Sequence, residues 1–285
     1  MSMFRSIVLV AVASQVLEAQ AVCKPGESSN EAKMMAFFAA PLAFSPGGHA
    51  GPLKSGEIRL AFDVTYVPTP SDDIRHPEKC YNNNKTENTE LSPVFPRPRI
   101  AIGLGGGLAV EAMYLPPVTV MDATPNLLSV ALSYTRALTS SIGLGFRGHA
   151  TFGEVGGPIT CSKDVIQSNQ PTGNCYAFKP SDDTYKPNMF GGEAMLSFGA
   201  HDAKLRTYVG GGFTALSPEF QVGYVDALNN VDDTRIEVSL QRLAAFAGGA
   251  YRLSPRFALT GELYSVPEDV TTVRFGGSFT LRSGK

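Results

Sequence analysis

The chain has 285 residues, with 24 Lys and Arg against 26 Asp and Glu, and a net charge of −2. This balance gives no electrostatic footprint for nucleic acid. Four His and no C-x-x-C pair argue against a metal site, and beyond the first 21 residues no stretch reaches the roughly 18 apolar residues of a membrane-spanning helix.

In chain order, Arg5 precedes the apolar run Ile7-Val8-Leu9-Val10-Ala11-Val12-Ala13, and Ala19-Gln20-Ala21 follows as an A-x-A pattern. This is a secretory signal peptide, with cleavage expected after Ala21; the apolar run is too short for an anchor. Cys23 raises a lipoprotein alternative, but Val22 before it is wrong for a lipidation box. An exported chain holds disulfides. Cys161 and Cys175 share one polar segment and are expected to pair, whereas Cys23 and Cys80 pair, stay free or bond elsewhere. Residues 22–56 show no alternation. Asn30-Glu31 caps a short helix over Ala32–Phe38, which Pro41, Pro46, Gly47, Gly48 and Gly51 then break. Met34, Met35, Phe37, Phe38, Leu42 and Phe44 are too apolar for a free tail. The segment therefore either plugs a lumen or lies against a barrel, and a plug would carry Cys23 toward Cys80.

From residue 57 the pattern is period two, the signature of strands. Ile58, Leu60, Phe62, Val64 and Tyr66 make the first, with Glu57, Arg59, Ala61, Asp63 and Thr65 opposite. A polar stretch, 68–96, leads to a short second strand at Ile100, Ile102 and Leu104. The turn Gly105-Gly106-Gly107 follows, then a third strand at Leu108–Tyr114, a fourth at Leu128–Tyr134 and a fifth from Ile142 to Phe152. After 153–187 come a sixth at Phe190–Phe198, a turn at His201-Asp202-Ala203, and a seventh from Leu205, extended as far as Tyr224. The eighth covers 235–251 with a bulge near Leu240–Arg242, the ninth Phe257–Leu263, and the tenth runs to Leu281. Connections after even strands are short and those after odd strands long, at 68–96, 153–187 and 216–234. Short turns at one end and long loops at the other are the outer-membrane pattern, and it puts both chain ends on the short-turn side.

The parity of these strands sorts charge from apolar residues. Arg59, Arg99, Arg147, Arg206, Arg242 and Arg274 face the lumen, as do Glu57, Asp63, Glu111, Glu193, Glu237 and Glu262. His149 joins them on the fifth strand. A lipid-facing Arg at the membrane midplane costs about 2–4 kcal/mol, so the lumen suits these charges. Their signs cancel, which favours paired charges over a pore selective for one sign. Arg136 breaks the parity, at a strand end where the cost is small. Gly143-Leu144-Gly145-Phe146-Arg147-Gly148 matches G-x-G-x-x-G, but it lies within a strand and lacks the helix a dinucleotide site needs. His149 and the pairs Asp72-Asp73, Asp182-Asp183 and Asp232-Asp233 sit in no catalytic motif and lack EF-hand spacing. No enzyme activity and no cofactor are expected.

The last strand carries the most specific signal. Arg274, Gly276, Phe279 and Leu281 fill a polar, glycine, hydrophobic, hydrophobic spacing that resembles the C-terminal assembly signal of bacterial outer-membrane barrels. It departs from that signal by adding Arg282-Ser283-Gly284-Lys285. The chain thus resembles small bacterial outer-membrane β-barrel proteins. The resemblance implies insertion by the barrel-assembly machinery and residence in outer-membrane lipid. The expected fold is an all-β, antiparallel up-and-down transmembrane barrel of about ten strands (eight to twelve). It is divided into a signal peptide (1–21), an N-terminal segment (22–56) and the barrel (57–285). The expected function is a structural barrel or narrow pore for small solutes. The alternative is adhesion or ligand binding through the long loops, and a surface hydrolase is third. A soluble lipocalin-type barrel would reverse the two faces.

Overall fold

The computed structural model describes residues 22–44, 51–80, 94–120, 122–200 and 203–284. The signal peptide, Pro46 to Gly48 and His201-Asp202 lie outside the described residues. Ten strands form the wall: β1 (Ile58–Tyr66), β2 (Val94–Gly105), β3 (Leu108–Leu115), β4 (Thr124–Ala137), β5 (Ile142–Gly157), β6 (Met189–Phe198), β7 (Leu205–Leu216), β8 (Leu240–Arg252), β9 (Phe257–Val266) and β10 (Val270–Arg282). Each pairs antiparallel with the next, and β10 pairs with β1 to close the ring. Closure leaves no edge strand. No helix among the described residues is long and apolar enough to cross a membrane.

The alternation read from the sequence sets the two faces. Phe62 is 53% and Phe275 64% exposed on the outside, while Arg274 is 1% exposed within. Leu132, Phe146 and Phe213 continue the outer band. The faces are those of a barrel surrounded by apolar solvent, the reverse of a soluble carrier, because so continuous an apolar surface would not stay monomeric in water.

Two strands differ from expectation. β2 is twelve residues long, not eight, and carries Pro96 and Pro98. Its ladder to β3 starts only at Arg99, so the prolines sit where one side of the strand is unpaired and a missing N–H is tolerated. β8 starts at Leu240 and pairs with β7 without a register shift. The slip near Leu240 is therefore no bulge: Arg235–Glu237 is a separate strand outside the ring. The extension of the seventh strand likewise breaks up, into Glu219–Gln221 and Tyr224–Val225.

These short strands build a crown on the long-loop end. Val155–Gly157 of β5 pairs with Asp183–Lys186, which pairs with Glu219–Gln221, which pairs with Arg235–Glu237. Val22–Cys23 adds in parallel at the edge. The residues that follow the expected cleavage site thus lie at the long-loop end, and only the C-terminal end lies at the short-turn end. Residues 22–56 have no strand periodicity; of the two courses expected for them, plug or outer packing, the described part takes the plug.

Candidate functional site

The described residues between Cys23 and β1, 24–44 and 51–57, occupy the lumen. Helix α1 (Asn30–Ala39) is built from good helix formers, and Ser29 caps it by accepting the Ala32 N–H at 3.1 Å. Glu31, Ala32, Met34, Met35, Ala36, Phe37 and Ala39 are all buried, so the helix is enclosed around most of its surface, with Lys33 exposed in its first turn. It packs in one apolar core with Tyr208, Phe246 and Tyr264 of the wall. Tyr185 of the crown donates its hydroxyl to the Met35 carbonyl at 2.7 Å. A 3₁₀ turn, Ala40–Leu42, with Pro41 ends the helix.

The loop after β1 is tied onto the helix start. The Asn30 side-chain amide donates to the carbonyls of Asp73 and His76, each at 2.8 Å. Glu31 Oε1 accepts the backbone N–H groups of Glu78, Lys79 and Cys80 at 2.8, 2.6 and 2.9 Å. Burial pushes the Glu31 carboxyl up, but these donors outweigh it and hold the group below its ordinary value. Cys23–Cys80 closes the same junction, and Cys161–Cys175 staples the crown.

Below the helix, charged side chains form a girdle around the inside of the wall. Arg99 of β2 bonds Asp63 of β1 at 2.7 Å and approaches Glu111 of β3 at 3.8 Å. Arg147 of β5 bonds the same Glu111 at 2.8 Å and approaches Glu193 of β6 at 3.7 Å. On the far side Glu262 of β9 takes Arg274 of β10 at 3.0 Å and the Tyr208 hydroxyl of β7 at 2.7 Å. Arg274 stacks on Tyr264, 4.2 Å from the ring centroid. It also reaches the Ala40 carbonyl at 3.5 Å, a cation at a helix C-terminus. Phe44 of the plug stands inside the girdle, fully buried, with the guanidinium carbons of Arg99 and Arg147 5.5 and 5.8 Å from its ring centroid.

The structure brings together Asp63, Arg99, Glu111, Arg147, Glu193, Glu262 and Arg274 as one layer, with His149 buried on the same wall. Arg242 lies toward the long-loop end, held by Asp269 at 2.9 Å and Glu268 at 3.4 Å. Glu57 and Arg59 pair at 2.6 Å at the short-turn mouth, with Arg206 nearby. Glu237 does not line the lumen. It sits on the crown strand with Arg235 at 3.0 Å and Lys24 at 3.3 Å, because the strand it was placed on starts three residues later. Arg97 was missed. It is 1% exposed and its guanidinium has no hydrogen-bond partner among the described residues. The flanking prolines disguised its strand, although it shares the parity of Arg99.

The C-terminal signal has a local reason. A Cβ at Gly276 would fall 2.7 Å from the Asp63 Cα, so glycine lets β10 approach β1 where the ring closes. Phe279 and Leu281 face outward.

Little space remains around the plug. A void of about 20 Å³ lies beside Arg147 and Glu193, and one of about 10 Å³ between the helix end and the wall. Each has room for no more than about one water. Among the described residues the short-turn mouth opens wider, to about 270 Å³, and a shallower groove of about 560 Å³ lies on the wall beside Leu132, Phe146 and Phe213.

No family model matches the chain, and no curated protein matches it. Among solved structures it is similar to Ail, the attachment invasion locus protein of Yersinia pestis, at 10% identity over 80% of this chain and 98% of that one, TM-score 0.31. The N-terminal β-barrel domain of Pseudomonas aeruginosa OprF gives 12% identity over 80% and 99%, TM-score 0.32. The CymD monoaromatic hydrocarbon channel gives 13% over 89% and 71%, TM-score 0.34.

Proposed function

We propose that the chain is an outer-membrane barrel closed in its ground state by its own N-terminal segment, which acts at its long-loop end as an adhesion or ligand-binding surface. The observation that carries this reading is the filled lumen: the plug leaves voids of about 20 and 10 Å³, too small for a solute path. The apolar outer wall and the short-turn, long-loop asymmetry support the membrane and its orientation.

The crown is the structured surface that remains. Outside buried Asp183, the crown carries Glu154, Asp164, Asp182, Glu219, Asp226, Asp232, Asp233 and Glu237 against Lys24, Lys163, Lys179, Lys186 and Arg235. This acidic field favours a basic partner. Phe178, 72% exposed, together with exposed Leu228 and Val231, offers apolar anchors within that field. Bound partner is measured on vesicles holding the refolded mature chain, with basic and acidic proteins as probes at low and high salt. Salt-sensitive capture of the basic probe is expected, and it is weakened when the exposed carboxylates are neutralised together as Glu154→Gln, Asp182→Asn and Asp233→Asn. Equal capture by that variant, shown to be folded, would overturn the reading.

A narrow pore is the second reading. The open short-turn mouth favours it, and it requires the plug to leave the girdle.

A further inference from the structure

The mouth opposite the crown has no role in a closed barrel that acts through its loops, yet it is built unlike the rest of the lumen. In the girdle Arg97, Arg99, Arg147 and Arg274 are offset by Asp63, Glu111, Glu193 and Glu262. The mouth is lined by Lys54, Arg59, Lys204, Arg206, Arg252 and Arg256, and the one carboxylate among its described lining residues is Glu57. These cations come from four separate places: the end of the plug, β1, the start of β7 with the residue before it, and the β8–β9 hairpin. The fold, not local sequence, gathers them.

Arg206 is partly buried among them. Its Nε is buried with no hydrogen-bond partner among the described residues. Gly51 of the plug lies so close to the guanidinium that a Cβ there would overlap it. Arg59 and Arg252 stand near enough to Arg206 to repel it. Like charges gathered at a concave mouth focus the field there, and a bound anion would offset both the repulsion and the unpartnered donor. The pocket, about 270 Å³, falls just below the usual small-molecule range of about 300–1,000 Å³, so the ligand is small. Guanidinium forks match phosphate oxygens in pairs.

We propose that the short-turn mouth is a binding site for a small multivalent anion of the phosphate class, with Arg206 at its base and Arg252, Lys204 and Arg256 around it. The phosphate comes from a soluble oligophosphate or from a phospholipid headgroup reaching the rim. Inorganic pyrophosphate is titrated calorimetrically into the full mature chain refolded in zwitterionic detergent. One saturable site is expected, weaker at high salt, and about tenfold or more weaker in Arg206→Gln and in Arg252→Gln. The crown variant Lys163→Gln binds as the unmodified chain does. Should Arg206→Gln fail to fold, the exposed pair Lys204→Gln with Arg256→Gln supplies the same comparison. No saturable binding by folded protein, or binding that all of these mouth variants leave unchanged, overturns the proposal. Repeating the titration in phosphatidylglycerol nanodiscs separates the sources. Lost pyrophosphate binding there means the headgroup already holds the site, and unchanged binding means a soluble anion.

Discussion

In the long-loop half of the lumen a helix is buried over most of its surface against aromatic and aliphatic wall residues, and its junction with the crown is fixed by a disulfide and three backbone donors to one carboxylate. In the short-turn half the wall is lined by like charges around an open pocket. The first half is packed as the core of a soluble domain is packed; the second is an open vestibule. The girdle lies between them. The proposed barrier across the barrel is therefore a packing barrier at the helix and Phe44, and the excess of one charge sign is confined to the mouth.

The largest expected effect falls on the girdle. Glu111→Ala leaves Arg99 and Arg147 without the carboxylate they share, and should destabilise the refolded barrel by about 3–5 kcal/mol in urea unfolding. Replacing Cys23 and Cys80 together with Ser removes the covalent tie at the packed end. About 2–4 kcal/mol is expected, with faster proteolysis of the plug segment as an independent readout. Ser29→Ala removes the helix cap and should cost about 1 kcal/mol in the same unfolding experiment. At the other end Arg256→Gln, on the exposed rim, should stay within about 0.5 kcal/mol. A rim substitution as costly as the plug substitutions would end the distinction between the two halves.

The Glu31 junction adds a pH test. Its carboxyl is held below the ordinary value, so its contribution is fully present above the unfolded carboxylate range and is lost as pH falls through the depressed folded value. Hydrogen exchange at the amides of Glu78, Lys79 and Cys80 should quicken only in that acid window, once the intrinsic pH dependence of exchange is removed. Glu31→Gln should remove the transition. Protection that does not change across the window would mean that other contacts hold the loop.

The wall was legible because each strand meets two solvents, lipid and lumen, and period two records that directly. Leu60, Phe62 and Phe275 could be assigned to one face, and Arg99, Glu111 and Arg147 to the other, without any tertiary information. The helix start was legible to within a residue: Ser29, not Asn30, is the cap, while Asn30 turns outward to the loop. Glu237 was misplaced because Arg235-Ile236-Glu237 alternates as the wall does and differs only in what it pairs with. Arg97 was hidden by prolines that a one-sided ladder tolerates. The course of residues 22–56 left no periodic trace, since a short helix buried over most of its surface shows no apolar stripe; only its apolar content and the leftover Cys23 and Cys80 pointed to a plug.

The central claim is that the plug closes the barrel, and planar-bilayer recording tests it most directly. The full mature chain, refolded and shown to be inserted, should give no current steps. Reproducible steps from the unmodified chain would contradict the account, because they would require a continuous water path where the structure places Phe44 and the helix.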